Sequence, residues 1–489
     1  MTALIIHGHF YQPPRENPWT GEVEEEPSAA PYHDWNERVH AESYAPNASV
    51  NNYARISFNF GPTLLSWLER HHPDTYQHII AADRESAAQR GGHGNAIAQA
   101  YGHAILPLCN ERDRLTQVVW GLADFRFRFG REPEALWLPE TAANDATLAL
   151  LIDQGLRYVI LAPEQARRVF SSSGWLDVSG GKVDTTRPYR FEHPDGSGRS
   201  IAVFFYNGPL ARAIAFEKAL TSSRGLVELF LRVGQRGDLV NVATDGETYG
   251  HHFKFGDLGL AHALGVEARQ AGFWITNYGE YLDRHAPQTV VEIENGPEGE
   301  GSSWSCVHGV GRWARDCGCH TGGEADWNQA WRDPLRVALN FLRDDAAVKF
   351  GNTELLRDPW AARNDYISVL LDGERAREEF LARHAVRGWS DAEDPRVFQL
   401  LEMQRSALLM FTSCVWFFSD LAGIETIQVL RYAARVLDLQ KQLGFDVPRK
   451  EFLELLANAK SNRAEKGNGA EIFLRSAEPR SVNPEPATV

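Results

Sequence analysis

"LVNVATDGETYGHH", Leu239 to His252, is an apolar run that stops at two acids, Asp245 and Glu247, followed by Tyr249 and a histidine pair. Burying a carboxylate without a partner is costly, so two of them at the end of a buried-looking strand call for a purpose. Side chains alternate along a strand, so acids two apart face the same way. The same arrangement recurs upstream. "ALIIHGH" (3–9) carries His7 and His9, "NAIAQAYGHAILP" (95–107) carries His103, and "ALWLPET" (135–141) delivers Glu140. "RISFNFGP" (55–62), "RYVILAP" (157–163), "SIAVFFYN" (200–207) and "GFWITN" (272–277) read as further short strands. Amphipathic stretches such as "TLLSWLERHHPDTYQHII" (63–80) lie between them. Strands alternating with helices predict parallel βαβ units. Some seven or eight strands in about 285 residues predict an α/β fold closed, or nearly closed, into a barrel.

Outside that rhythm the texture changes. Residues 163–200 are rich in Ser, Gly and Arg and read as a long excursion, a hairpin in form. We therefore expect residues 1–285 to form the barrel and 286–327 a Gly-rich connecting and active-site loop, since loops of that length are often functional. Residues 328–460 have a helical pattern throughout and predict a mainly α-helical domain. The tail, 461–489, has little to bury and is expected to be extended or disordered.

Composition narrows the function classes. The 489 residues carry 50 Lys and Arg against 65 Asp and Glu, a net charge of −15. That excess disfavours a nucleic-acid partner, which needs clustered cations. The opening "MTALIIHGHF" lacks a basic leader and no apolar run of about 18 residues exists, so neither secretion nor a membrane span is expected. Five cysteines, Cys109, Cys306, Cys317, Cys319 and Cys414, fit a cytoplasmic protein with reduced thiols. The oligomeric state is not legible.

In a parallel barrel the chemistry gathers at the C-terminal ends of the strands. Acids and imidazoles from four such ends would then share one rim. Two carboxylates across a barrel mouth are the minimum equipment for glycosidic bond chemistry: one attacks or stays ionised, the other holds a proton for the leaving oxygen. Trp137 and Tyr249 would desolvate one of them and offer a face to a sugar ring. Trp304, Trp327 and Trp416 are either sugar platforms or core. Arg212 either reaches the mouth after its strand or sits in a surface ion pair. Glu247 either shapes the site or pairs with a barrel Arg or His.

At this point the sequence resembles family 57 of the glycoside hydrolases. "HGHFYQPPR" (7–15), "GNAIAQAYGHAILPL" (94–108), "LWLPE" (136–140) and "DGETYG" (245–250) are similar, in order and spacing, to that family's first four motifs. The first motif departs by the insertion of Phe10 and Tyr11. "SWSCVHG" (303–309) and "TSCVWFF" (412–418) both compete for the fifth. The resemblance implies a (β/α)7 pseudo-TIM barrel followed by a helical domain, acting on α-glucans as amylase, 4-α-glucanotransferase or branching enzyme. It implies Glu140 as nucleophile and Asp245 as acid/base of a retaining mechanism. His7, His9, His103 and Glu247 would shape the subsite around the cleaved bond. An oligo- or polysaccharide is the implied partner, and no cofactor is implied.

Two rival functions remain open on the sequence. One is a metal-dependent polysaccharide deacetylase using His7 and His9, although the usual His-x-x-x-His set is missing from the strand ends. The other is a non-catalytic glucan-binding protein. Separately, Cys306, His308, Cys317, Cys319 and His320 fall within 15 residues of one another. Reduced thiols are the expected state there, because the spacing matches no standard finger; zinc on Cys306, His308, Cys317 and Cys319, or a disulfide, are the alternatives.

Overall fold

The computed structural model describes residues 1–386 and 394–478. The chain packs as two units. The first comprises residues 1–12, 25–101 and 124–305; the second comprises 13–24, 102–123 and 306–489. The linear division expected at 285 is therefore replaced by an interleaved one. Two short upstream segments, 13–24 and 102–123, belong with the C-terminal helices.

The first unit is α/β. Its strands are β1 (Ala3–Phe10), β2 (Ser57–Phe60), β3 (Ala98–Gln99), β4 (Leu136–Trp137), β5 (Tyr158–Leu161), β6 (Ala166–Ser171), β7 (Gly174–Asp177), β8 (Tyr189–Glu192), β9 (Ser200–Phe205), β10 (Leu239–Asp245), β11 (Trp274–Ile275) and β12 (Val291–Ile293). β1 is buried along all eight residues, and its apolar start, Ala3 to Ile6, is that of a strand covered on both faces. It runs parallel to β10, β2 and β11. β2 reaches β3 through a parallel bridge between Phe58 and Ala96, and β4 reaches β5 through one between Ala135 and Tyr158. β3 pairs with β4 and β5 with β9, again in parallel. The Asn207 N–H then donates to the Asn241 carbonyl of β10 at 2.8 Å. The excursion after residue 163 holds the expected antiparallel hairpin, β6 on β7, with β12 on the other edge of β6. β8 folds back antiparallel on β9.

The second unit is helical. Arg332–Gly351, Asp394–Leu409 and Ile424–Gln442 are its long helices. Trp313, Trp331 and Trp416 are fully buried in it. The tail corrects the expectation over 461–478. Gly469–Ser476 is a helix with a reciprocal cap, in which Asn468 and Glu471 each accept the other's backbone N–H. That satisfies two orphan donors at once. The helix buries Ile472 and Phe473, the latter against the Phe452 ring. Residues 479–489 lie outside the described residues. Among those described, no helix is long and apolar enough to cross a membrane.

Candidate active site

Register assembles the site. On β1, His9 lies opposite Asp245 of β10 on one side and opposite Asn59 of β2 on the other. Gln99 of β3 lies opposite Trp137 of β4. The C-terminal ends of five strands thus deliver polar or aromatic groups at one level.

Beyond Trp137 the chain turns sharply. Pro139 starts a single helical turn, and Glu140 and Thr141 both adopt left-handed backbone, φ 58° and 51°. Such geometry costs a non-glycine residue of order 1 kcal/mol or more and needs its surroundings to hold it. Here the surroundings are the loop 302–305. Ala143 and Ser302 exchange backbone hydrogen bonds, each 2.9 Å, and the Trp304 N–H donates to the Glu140 carbonyl. Gln165 ties both segments, donating to the Thr141 and Ser302 carbonyls. The Glu140 carboxylate is then fixed by two donors on one oxygen: Trp304 Nε1 at 2.9 Å and Ser305 Oγ at 2.7 Å.

Asp245 is the other carboxylate. Its neighbours along the chain are buried, yet Asp245 itself is open to solvent. Its carboxyl is held above the usual range, first by desolvation among the protein atoms around it, then by the charges of Glu247 and Glu140. Water at the exposed side keeps that shift smaller than full burial would give. Glu247 is 6% exposed. Its Oε1 accepts from the Tyr11 N–H at 3.1 Å and from Tyr44 Oη at 2.7 Å. Desolvation nevertheless carries it to about 7. Its acid is therefore a buried brace for the end of β1, and one of the charges that keep a proton on Asp245.

His7 and His9 are buried and held down to about 3, mainly by desolvation, so both are neutral at working pH. His7 binds Ser57 Oγ with Nδ1 (2.9 Å) and Asn59 Oδ1 with Nε2 (3.1 Å). With both nitrogens engaged, His7 has no lone pair left for a metal, which removes the deacetylase reading's first ligand. Asn59 Nδ2 donates to His9 Nδ1 at 2.9 Å and to Gln99 Oε1 at 2.7 Å. Accepting at Nδ1 puts the His9 proton on Nε2.

Several sequence expectations need correcting. Trp137 is 1% exposed and stacks on both His7 and His9, with centroids 4.7 and 5.0 Å away. It orients the imidazoles and shows no face to a sugar. Tyr249 is fully buried and its hydroxyl accepts from Thr244 Oγ1. Trp416 is fully buried in the second unit and donates to the Arg332 carbonyl. In each case packing covers the ring, which residue type alone does not reveal. Arg212 is exposed on the helix Gly208–Phe216, and no contact brings it to the acids. His103 belongs to the second unit, where its Nδ1 meets Ser413 Oγ at 2.7 Å. Trp304 alone of the candidate tryptophans touches the site and is partly open, its ring against His9, Trp137 and Tyr206. Between the two competing stretches, it is "SWSCVHG" that contributes to Glu140. His251 is explained by Glu42, at 2.5 Å.

Sequence reasoning missed Asn59, Gln99, Ser305 and Tyr206. Tyr206 is buried, and its hydroxyl feels the charges of Glu164 and Asp245. The one available signal was Asn59 and Gln99 inside otherwise apolar strands, where an amide needs a partner.

Known proteins share this architecture. Residues 7–294 match the family model Glycosyl hydrolase family 57, and residues 327–488 match Domain of unknown function (DUF3536). A 4-alpha-glucanotransferase of Thermococcus litoralis is 25% identical over 259 residues, which is 51% of this chain and 36% of that protein. Alpha-amylase 1 of Dictyoglomus thermophilum is 25% identical over 131 residues, 26% of this chain and 18% of that protein. The chain thus spans well under half the length of these two relatives. An exo-type maltose-forming amylase of a Pyrococcus species is similar in structure, with a TM-score of 0.66 at 14% identity, covering 93% of this chain and 82% of that one. A branching enzyme of Pyrococcus horikoshii gives 0.57 at 16% identity, covering both chains completely. At these identities the structural likeness speaks for the fold.

Proposed function

The chain belongs to glycosyl hydrolase family 57, and from that premise we propose that it is a retaining glycoside hydrolase or transglycosylase acting on α-1,4-linked glucans of the maltooligosaccharide, starch or glycogen type. The observation that carries the reading is the unequal treatment of two carboxyl groups. Glu140 is fixed by two hydrogen-bond donors on one oxygen, while Asp245 is pushed toward its protonated form by desolvation and by the Glu247 and Glu140 charges. Environments that drive two acids apart assign their roles.

Glu140 attacks the anomeric carbon. The glycosidic C–O bond breaks as Asp245 passes its proton to the leaving oxygen, and a glycosyl ester forms on Glu140. Asp245, now a carboxylate, takes a proton from the incoming acceptor, whose oxygen displaces Glu140. Water as acceptor gives hydrolysis; a sugar hydroxyl gives transfer. Retention calls for carboxyl groups about 5–5.5 Å apart. His9 and the Trp304 face are the subsite groups on this reading, with His7 and Glu247 behind them.

We take the first unit to be a (β/α)7 barrel. Supporting this is the cycle of parallel contacts through β10, β1, β2, β3, β4, β5 and β9, which returns to β10 by the Asn207–Asn241 hydrogen bond. A reducing, cytoplasmic setting is supported by Cys109, Cys306, Cys317 and Cys319, which are free thiols.

Incubating the chain with maltooligosaccharides and sizing the products tests the activity and separates hydrolysis from transfer. Glu140→Gln and Asp245→Asn should each lower kcat by about 10⁴-fold or more, as loss of a residue in a cooperating catalytic set does, with the melting temperature unchanged. Full activity in either variant would sink the assignment.

A further inference from the structure

We propose that Cys306, His308, Cys317 and Cys319 form a structural zinc site in the second unit. The four ligand atoms converge at the separations of a tetrahedral coordination sphere. Cys306 Sγ lies 3.9 Å from Cys317 Sγ and 3.8 Å from Cys319 Sγ, and Cys319 Sγ lies 3.5 Å from His308 Nδ1. All four ligand atoms fall within 4.8 Å of one another. A zinc ion with Zn–S near 2.3 Å and Zn–N near 2.0 Å, at tetrahedral angles, sets sulfurs about 3.8 Å apart and sulfur to nitrogen about 3.5 Å.

Neither rival state of the cysteines accounts for this convergence. A disulfide would draw two sulfurs to about 2.0 Å and leave the third alone, and none joins Cys306, Cys317 and Cys319. Reduced thiols are weak hydrogen-bonding groups that need no common focus.

The surroundings suit an anionic cluster. Backbone N–H groups of His308 and Arg312 are aimed at Cys306 Sγ, and that of Cys319 at Cys317 Sγ. Between Cys317 and Cys319, Gly318 takes left-handed backbone at φ 78°, which lets two sulfurs two residues apart turn to one point. Three thiolates and a neutral imidazole around Zn²⁺ leave one net negative charge. Arg332 supplies the complement. Its guanidinium is fully buried and donates from Nη1 to the Cys319 carbonyl at 2.7 Å, while Nε and Nη2 are buried without a partner. A buried cation with unmet donors is expensive unless an anion lies close. With four protein ligands the coordination sphere is closed, so the ion's task is structural. It would pin residues 306–331, whose regular structure is otherwise a single short turn, Gly311–Trp313.

The full chain, produced with zinc in the medium and freed of loose metal, should carry about one zinc per chain by elemental analysis. The Cys317→Ser/Cys319→Ser double variant should lose at least about tenfold of it. In an independent measurement, cobalt(II) added to the chelator-stripped wild-type chain should give thiolate-to-metal charge-transfer bands and the strong visible bands of a tetrahedral ion. Alkylation should spare three thiols until chelator is added. Zinc far below one per chain with no cobalt charge transfer overturns the proposal, and so does a double variant that keeps the wild-type zinc content.

Discussion

Glu247 is the residue where bracing and chemistry meet. Its carboxyl is carried up to about 7 by burial, so between 4.5 and 7 the folded chain holds a proton that the unfolded chain releases. Stability from this group therefore falls as pH rises through that window, by at most about 3 kcal/mol, and the loss is complete above it. Glu247→Gln keeps an acceptor for Tyr11 and Tyr44 but no charge. Denaturant midpoints measured between pH 4.5 and 7 should flatten in this variant. Its second effect is on Asp245, whose proton Glu247 helps to retain. Without that charge Asp245 ionises at lower pH, so the alkaline limb of the kcat profile should move to lower pH. A limb that stays in place would mean that the two carboxyl groups do not communicate. His7 and His9 act in the opposite sense on stability. Held down to about 3, they refuse protons that the unfolded chain accepts below 6.5, so their contribution is lost as pH falls from there.

Among the elements, the strand ends were the most legible. An apolar run that stops at an acid marked both Glu140 and Asp245, because a buried strand has few other reasons to end that way. The aromatic residues were legible only as aromatic. Trp137, Tyr249 and Trp416 differ from Trp304 solely in what packs on their faces, and no local pattern encodes that. Asn59 and Gln99 were passed over because one amide in a short apolar strand looks like an ordinary interruption. The "NGAE" cap at 468–471 was readable as a helix start but was outweighed by the polar tail around it. The turn after β10 offers a test of local design. Gly250 has φ +131°, and a Cβ there would lie 2.2 Å from the Glu42 carbonyl oxygen. Asn47 meanwhile grips the Tyr249 carbonyl at 2.6 Å. Gly250→Ala should cost about 2–4 kcal/mol in chemical denaturation, since neither backbone has room to yield. A loss below about 0.5 kcal/mol, the ordinary surface value, would show the turn to be pliable.

At the scale of the whole molecule, the class of fold was readable from alternating periods, whereas the interleaving of the two units was not, because segments 13–24 and 102–123 carry no mark of where they pack. Their anchors all lie in the helical unit. Trp19 Nε1 donates to Asp438, Gln428 reaches the Glu16 carbonyl, Arg363 pairs with Asp113, and the fully buried Trp120 donates to the Arg363 carbonyl. A polypeptide cut after 305 would expose Trp120 and strip those partners from both segments. Burial of one such ring is worth a few kcal/mol, a large part of a typical margin of about 5–15 kcal/mol. Residues 1–305 alone should therefore be insoluble or loosely folded by near-ultraviolet circular dichroism, and a cooperative, native-like spectrum would refute this. The stretch that defines the family in sequence is thus not a cassette. Anyone who engineers this protein must therefore carry both halves together, because trimming to the family-defining stretch removes the partners of segments it contains.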